Sequence, residues 1–231
     1  MRAQLAAALE SVGFACPAAV LDKFTKYYRL ILDYNRQTNL TTLTSPQDFI
    51  YKHIWDSLYP GNFLRNAVSL VDVGTGPGFP GVPLKLVFPH VSLTLVEAAG
   101  KKVAFLHRCC AELGIEAEIL HARAEDLGRS ARREQYDCAI TRAVGPMPII
   151  SEYCLPLVRP GGTFLAMKGP SVDAEVSLAQ KAIEILGGRV SCVRHYELPN
   201  GDGRSLVIVE KVNLTPERFP RRPGVPAKRP L

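Results

Sequence analysis

Ten residues, Asp72–Gly81 (DVGTGPGFPG), hold four glycines and two prolines directly after the apolar run AVSLV. Glycine admits positive φ and carries no Cβ, so Gly74, Gly76 and Gly78 in a G-x-G-x-G spacing let backbone amides approach a ligand closely. The helical pattern GVPLKLVF follows. The loop therefore lies between a strand's carboxyl end and a helix N-terminus, where parallel α/β sheets bind nucleotides. A tight turn without ligand is the alternative, and it suits a lone glycine better than this series. A dinucleotide site usually reads G-x-G-x-x-G before a long helix. Here the spacing is shorter and prolines interrupt the helix, which disfavours an NAD-dependent oxidoreductase.

Glu97 closes the next strand-like run, SLTLVE, where a carboxylate can accept two ribose hydroxyls; a solvated strand-end charge is the competing reading. Ala124 and Glu125 in RAED offer backbone and side chain to an adenine edge. Asp72 is expected beside the ligand or capping the loop backbone. Arg142 ends the run AITR and Lys168 lies in MKG, both on the same carboxyl side; phosphate contact and a surface salt bridge are the competing roles. His53 lies three residues before Asp56 and four before Ser57, so a helix would put them on one face. A lone helical histidine is more often structural, so these residues, with Asn39, are expected to tie helices to the glycine loop or to line a cleft.

The elements that must position these groups are legible in the apolar rhythm. Val20, Leu21, Phe24, Tyr27, Tyr28, Ile31 and Leu32 follow a helical spacing. Ser45, Pro46 and Asp48 then read as N-cap, first helical residue and first-turn acid of a second helix that stops near Gly61. After Ala67 short apolar runs alternate with segments such as KKVAFLHRCCAELG, ended by Gly114, the mark of βαβ units in a mostly parallel sheet. RVSCVRHYEL and RSLVIVEK flank PNGDG, so the sheet should end in an antiparallel hairpin.

The 231 residues are 47% hydrophobic and 22% charged, ordinary for a globular chain, and no apolar run is long enough for a spanning helix. A cytoplasmic monomer with no membrane contact is expected. The six cysteines show no C-x-x-C spacing and the five histidines are scattered, so buried thiols and no metal are expected. The net charge is +6, and the last twenty residues carry five Lys or Arg (Arg218, Arg221, Arg222, Lys228, Arg229) against one Glu. Interleaved prolines predict an extended basic arm that presents its charges to an anionic partner.

Glycine loop, strand-end acid, RAED, VRPGG and terminal hairpin, taken in order, resemble the Rossmann-like α/β, seven-stranded fold of class I S-adenosylmethionine-dependent methyltransferases. NRQTNLT, KHIWDSL, DVGTGPGFPGVPL, ITRAV, MKG and FPRRPGVPAKRPL are more particular. They resemble the rRNA small-subunit methyltransferase G family, also called glucose-inhibited division protein B, over nearly the whole chain. The resemblance implies a helical cap (1–66), a methyltransferase domain (67–211) and a basic tail (212–231). It implies S-adenosylmethionine as cofactor, 16S rRNA or the small ribosomal subunit as partner, and methylation of N7 of one guanine in the decoding-region loop. Carried over by position, the cofactor residues are Gly74, Phe79, Ala124, Glu125 and Arg142, with Gly76, Gly78 and Glu97 completing the loop and ribose site. Lys168 and the tail cations would meet RNA, so that removing the tail weakens RNA binding and leaves cofactor affinity intact, and Arg142 could instead orient the guanine. Some family members have Leu in place of Phe79 and Asp in place of Glu97; both keep the chemistry plausible. Guanine N7 has a lone pair and no proton to lose, so no general base is expected. The competing functions are methylation of another substrate and a non-catalytic ribosome-assembly factor; the glycine loop and ribose acid, both intact, disfavour the latter.

Overall fold

The computed structural model describes residues 1–38 and 40–231; Asn39 lies outside them. Helix α1 (Arg2–Ser11) and α2 (Ala18–Asn35) open the chain. On α2 the buried stripe is Leu21, Phe24, Tyr27, Leu30 and Ile31, close to the spacing expected. Helix α3 (Pro46–Asp48) starts where predicted, with the Asp48 amide donating to Ser45 Oγ at 3.0 Å. It continues as a π-helical stretch (Phe49–Trp55), α4 (Asp56–Leu58) and a 3₁₀ segment (Tyr59–Leu64).

The sheet follows: β1 (Ser69–Val73), α5 (Gly81–Val87), β2 (Ser92–Glu97), α6 (Gly100–Leu113), β3 (Glu118–His121), α7 (Ala124–Leu127), β4 (Tyr136–Arg142) and α8 (Met147–Cys154). Then come β5 (Val158–Lys168), α9 (Asp173–Ile185), β6 (Gly188–Glu197), β7 (Gly203–Lys211) and the single turn α10 (Val225–Lys228). The strand order is β3-β2-β1-β4-β5-β7-β6. Strands β1 to β5 pair in parallel, and β7 slots antiparallel between β5 and β6. Gly114 ends α6 at φ 59°, the left-handed cap expected of it.

Successive strand residues point to opposite faces, and both faces are apolar. Leu70, Leu93, Ile140, Leu165 and Ile208 join a core with α1, α2, α5, α6 and Phe49, Ile54 and Leu58. Val71, Val96, Ala139, Phe164 and Val207 join a second core with α7, α8 and α9. Burial on both faces explains why these strands read as continuous apolar runs. The buried side chains of the helical region, from Leu5 to Leu64, thus share a core with the sheet.

The C-terminal segment corrects the expectation of an extended arm. Phe219 is buried in the second core, and Arg129 Nε and Arg133 Nη1 donate to the carbonyls of Pro220 (2.7 Å) and Phe219 (2.6 Å). Arg221, expected on RNA, instead closes a bidentate pair on Glu152 of α8, whose side chain is fully buried, and its own amide donates to the same carboxylate at 2.7 Å. Segments dense in proline can pack where neighbouring side chains satisfy their carbonyls, and the arginines of the α7–β4 connection do that here. Arg218, Arg222, Lys228 and Arg229 remain exposed. Arg221→Ala strands a buried carboxylate and should lower the urea-unfolding free energy by about 3 kcal/mol. Arg222→Ala, at an exposed neighbour, should leave it unchanged.

Candidate active site

The carboxyl ends of β1, β2, β4 and β5 and the start of β7 lie along one edge of the sheet, and two clefts open there. The first, about 260 Å³, is lined by Gly74, Glu97, Ala124, Glu125, Val144 and Tyr153, among others. Four of the expected cofactor residues therefore meet in one place. Glu97 accepts from the Gly76 amide (3.0 Å) and from the Ala99 amide (2.8 Å), so one carboxylate fastens the glycine loop to the start of α6. Each oxygen retains capacity for a further bond. Glu125 is buried and accepts from the Gly224 amide at 2.9 Å.

Asp72 does not line this cleft. It is wholly buried beneath the loop, where Oδ2 accepts from Thr75 Oγ1 (2.6 Å) and the Gly81 amide (2.8 Å). A Cβ on Gly81 would stand 2.8 Å from that oxygen, so the close approach requires glycine. Burial raises the Asp72 carboxyl to about 6 against these two donors. Capping the loop is its observed role.

The second cleft, about 390 Å³, is lined by Lys52, His53, Asp56, Arg142, Lys168 and Arg204, with Leu43 and Met167 as apolar wall. It shares Ala143 with the first cleft. Ala143 sits at φ 57°, a conformation that costs a residue with a Cβ about 1 kcal/mol or more and is concentrated at functional sites.

Arg142 belongs to this second cleft and not to the first. Its Nη1 donates to Asp56 Oδ2 (2.8 Å) and the Lys52 carbonyl (3.0 Å), and Nη2 reaches His53 Nδ1 at 3.4 Å. The Asp56 pair is largely buried, so the surface salt bridge is not what forms. Tyr196 of β6 donates to the other Asp56 oxygen at 2.7 Å, tying the helical region to the hairpin.

Phe79, expected on the cofactor, turns its ring to the helical side. It stacks on His53 with centroids 4.3 Å apart and planes 2° from parallel, and Arg142 lies over it at 5.2 Å. Gly78 lies under α2, where an added Cβ would stand 2.8 Å from the Tyr27 hydroxyl. Tyr27 in turn donates to the Pro77 carbonyl, so α2 pins the loop. Gly76, at φ 61°, has open space where a Cβ would stand. Ser57 is buried and its hydroxyl returns to the His53 carbonyl, a structural role. Lys168, expected on phosphate, is held by Glu175 (2.7 Å) and the Gly145 carbonyl (2.8 Å), and so fixes the loop after β4.

Lys52 and Arg204 escaped the sequence reading: Lys52 opens KHIWDSL and Arg204 opens RSLVIVEK, but a single cation at the start of a helical or strand run gives no local sign that it lines a cleft. Asp202 in the hairpin turn reaches both, at 3.5 and 3.7 Å, across the second cleft. Among the described residues no group of three His, Cys, Asp or Glu is placed to hold a metal, and no helix is long and apolar enough to cross a membrane.

Burial, aided by Arg142, lowers His53 to about 3, so the ring is neutral near pH 7. Nδ1 takes the Arg142 donor, which leaves the proton on Nε2. The unfolded chain protonates this histidine near pH 6.5 while the folded chain waits until about 3, so the unfolded state takes up the extra proton and stability falls as pH drops through that window. Asp72 acts oppositely: its folded-state proton stabilises at low pH, and that contribution fades as pH rises from 3.8 to about 6. Between pH 7 and 5 the His53 effect amounts to roughly 2 kcal/mol. His53→Gln should therefore lose less stability than wild type on the same acid step, read from urea midpoints.

The glycine loop after β1, the acid closing β2 and the antiparallel β7 define the class I methyltransferase fold. Solved structures agree on the fold: cofactor-bound Rv0187 from MTB superposes with a TM-score of 0.57 at 17% identity, covering 81% of this chain and 91% of that one. TrmN from Thermus thermophilus gives 0.53 at 17% identity, covering 68% of this chain and 49% of that one. Residues 20–205 match the family described as rRNA small subunit methyltransferase G. Proteins named ribosomal RNA small subunit methyltransferase G are 49% identical in Pelotomaculum thermopropionicum, over 95% of this chain and 94% of that protein, and 42% identical in Staphylococcus epidermidis, over 91% and 90%. The chain belongs to the rRNA small subunit methyltransferase G family.

Proposed function

We propose that the protein transfers a methyl group from S-adenosylmethionine to N7 of a guanine in the decoding-region loop of 16S rRNA. The first cleft fits this cofactor by its donor set: Glu97 for the ribose hydroxyls, Gly74 with the open backbone of Gly76 for close approach, and Ala124 and Glu125 for the adenine edge. When bound there, it supplies an activated methyl on a sulfonium. The second cleft, rimmed by Lys52, Arg142 and Arg204, suits an anionic chain carrying the acceptor base.

The observation that supports the N7 assignment is that, among the described residues, the second cleft holds no poised base. His53 is neutral, its only basic nitrogen is engaged by Arg142, and it protonates only near 3. Both Asp56 oxygens are engaged, by Arg142 and Tyr196. An amine or hydroxyl acceptor must shed a proton, whereas N7 does not. Catalysis then rests on placement, and a guanidinium locked by Asp56, the Lys52 carbonyl and Phe79 is organised before substrate arrives. An Arg142 contact at guanine O6 leaves the N7 lone pair free for attack.

Incubation with labelled S-adenosylmethionine and either naked 16S rRNA or assembled small subunits, followed by nucleoside analysis, tests this. The expected product is 7-methylguanosine, and label in another nucleoside overturns the N7 assignment. Titration with S-adenosylmethionine and NAD tests the cofactor, with preferential NAD binding as the refuting result.

A further inference from the structure

The cofactor cleft is walled on one side by α7 and α8, which supply Ala124, Glu125 and Tyr153. Each of these helices is fastened to the C-terminal segment through a carboxylate. Glu152, next to Tyr153, takes the Arg221 fork, and Glu125 takes the Gly224 amide at 2.9 Å. The segment between them is set by further contacts: Pro220 would meet a Cβ on Gly128, the residue after α7, at 2.8 Å, and its carbonyl accepts from Arg129. The donor at Gly224 depends on backbone shape, because this residue sits at φ 80°, which turns the chain into α10.

We infer that the C-terminal segment is a working wall of the cofactor site: the Gly224 N–H holds Glu125 in the orientation that receives the cofactor's adenine edge. Gly224 is a positioning residue, acting through Glu125. A buried carboxylate with one oxygen anchored keeps the other for the exocyclic amine of adenine. With the anchor gone, it can rotate or draw in water, and its hydrogen bond to the ligand must then compete with that disorder. The expectation that loss of the tail spares cofactor affinity is thereby reversed. The inference rests on the first cleft being the S-adenosylmethionine site.

Gly224→Pro removes the N–H and, with φ fixed at about −65°, also gives up the φ 80° turn that aims it, while Gly224→Asn keeps the N–H and tolerates left-handed backbone. With the full chain, Gly224→Pro should raise the KM for S-adenosylmethionine roughly tenfold with kcat at saturating cofactor retained, as loss of one charge-assisted hydrogen bond implies. Gly224→Asn should restore affinity to within about twofold. In wild-type protein, added S-adenosylmethionine should slow hydrogen exchange at the Gly224 amide, because coupling between two sites is reciprocal; this reading does not depend on the folding of any variant. Wild-type affinity in Gly224→Pro, equal weakening in both variants, or a Gly224 amide indifferent to cofactor would each overturn the inference. A wild-type chain that fails to bind S-adenosylmethionine would overturn the cofactor site itself, which separates the two failures.

Discussion

Gly74→Val abolishes S-adenosylmethionine binding in titration calorimetry while leaving the fold intact by circular dichroism. Gly74 sits at φ 70° directly after β1, and a Cβ built there would lie 2.5 Å from Val144 Cγ2, across the first cleft. A β-branched residue is strained at this φ, and the clash must be relieved by turning the exposed Val144 side chain or by moving the loop after β1 or the loop after β4. Each of these reshapes a wall of the cleft, because Gly74 and Val144 both line it. The Gly74 and Thr75 amides donate to the Val96 carbonyl at 2.9 and 3.2 Å, so the strain also reaches the end of β2 and its ribose acid. An affinity loss of at least a hundredfold corresponds to about 2.7 kcal/mol, within the range of strain plus lost contacts. Normal cofactor binding in this variant would show that the loop has another purpose. Exposed cations of the C-terminal segment are far along the chain from this change, so RNA retention on a filter should persist.

Arg142→Ala lowers kcat by roughly a hundredfold or more with the cofactor dissociation constant unchanged, since removal of a preorganised donor typically costs that much. The separation follows from geometry: Arg142 lines the second cleft, proposed for the acceptor, and not the first, proposed for the cofactor. Arg142→Lys keeps the charge but cannot span Asp56, the Lys52 carbonyl and His53 from one planar group, so it should remain impaired at least tenfold. Asp56 is buried, and alanine at 142 leaves it only the Tyr196 hydroxyl, so unfolding midpoints belong beside the kinetics. A fall in cofactor affinity at preserved kcat would return Arg142 to the cofactor site, where family resemblance places it.

The G-x-G-x-G loop, Glu97 and RAED were legible as one site because each is local: a turn that needs positive φ, or a residue ending an apolar run. Their convergence needed only the rule that parallel strands gather their carboxyl ends on one edge. Phe79 and Arg142 fall outside that cleft for the opposite reason. Phe79 follows Gly78 in the loop and Arg142 ends β4, yet both side chains lean to the helical region, onto His53 and Asp56. Lys168 and Arg221 read as free cations, and in the fold each meets an acid, Glu175 and Glu152, that carries no motif.

By itself the sequence determined the α/β class, the strand series with its terminal hairpin, the caps at Ser45 and Gly114, and a glycine loop between the first strand and its helix. These follow from periodicity and turn chemistry within a few residues of each position. Only the tertiary structure decided that two clefts share Ala143, that Arg142 and His53 meet in the second of them, and that the basic tail is docked against α8 and Glu125. Those properties belong to pairs such as Asp56 with Arg142 or Glu152 with Arg221, 86 and 69 residues apart. Which charges pair at such separations is set by the β3-β2-β1-β4-β5-β7-β6 crossover order and by burial, which makes an unpartnered charge too costly to keep.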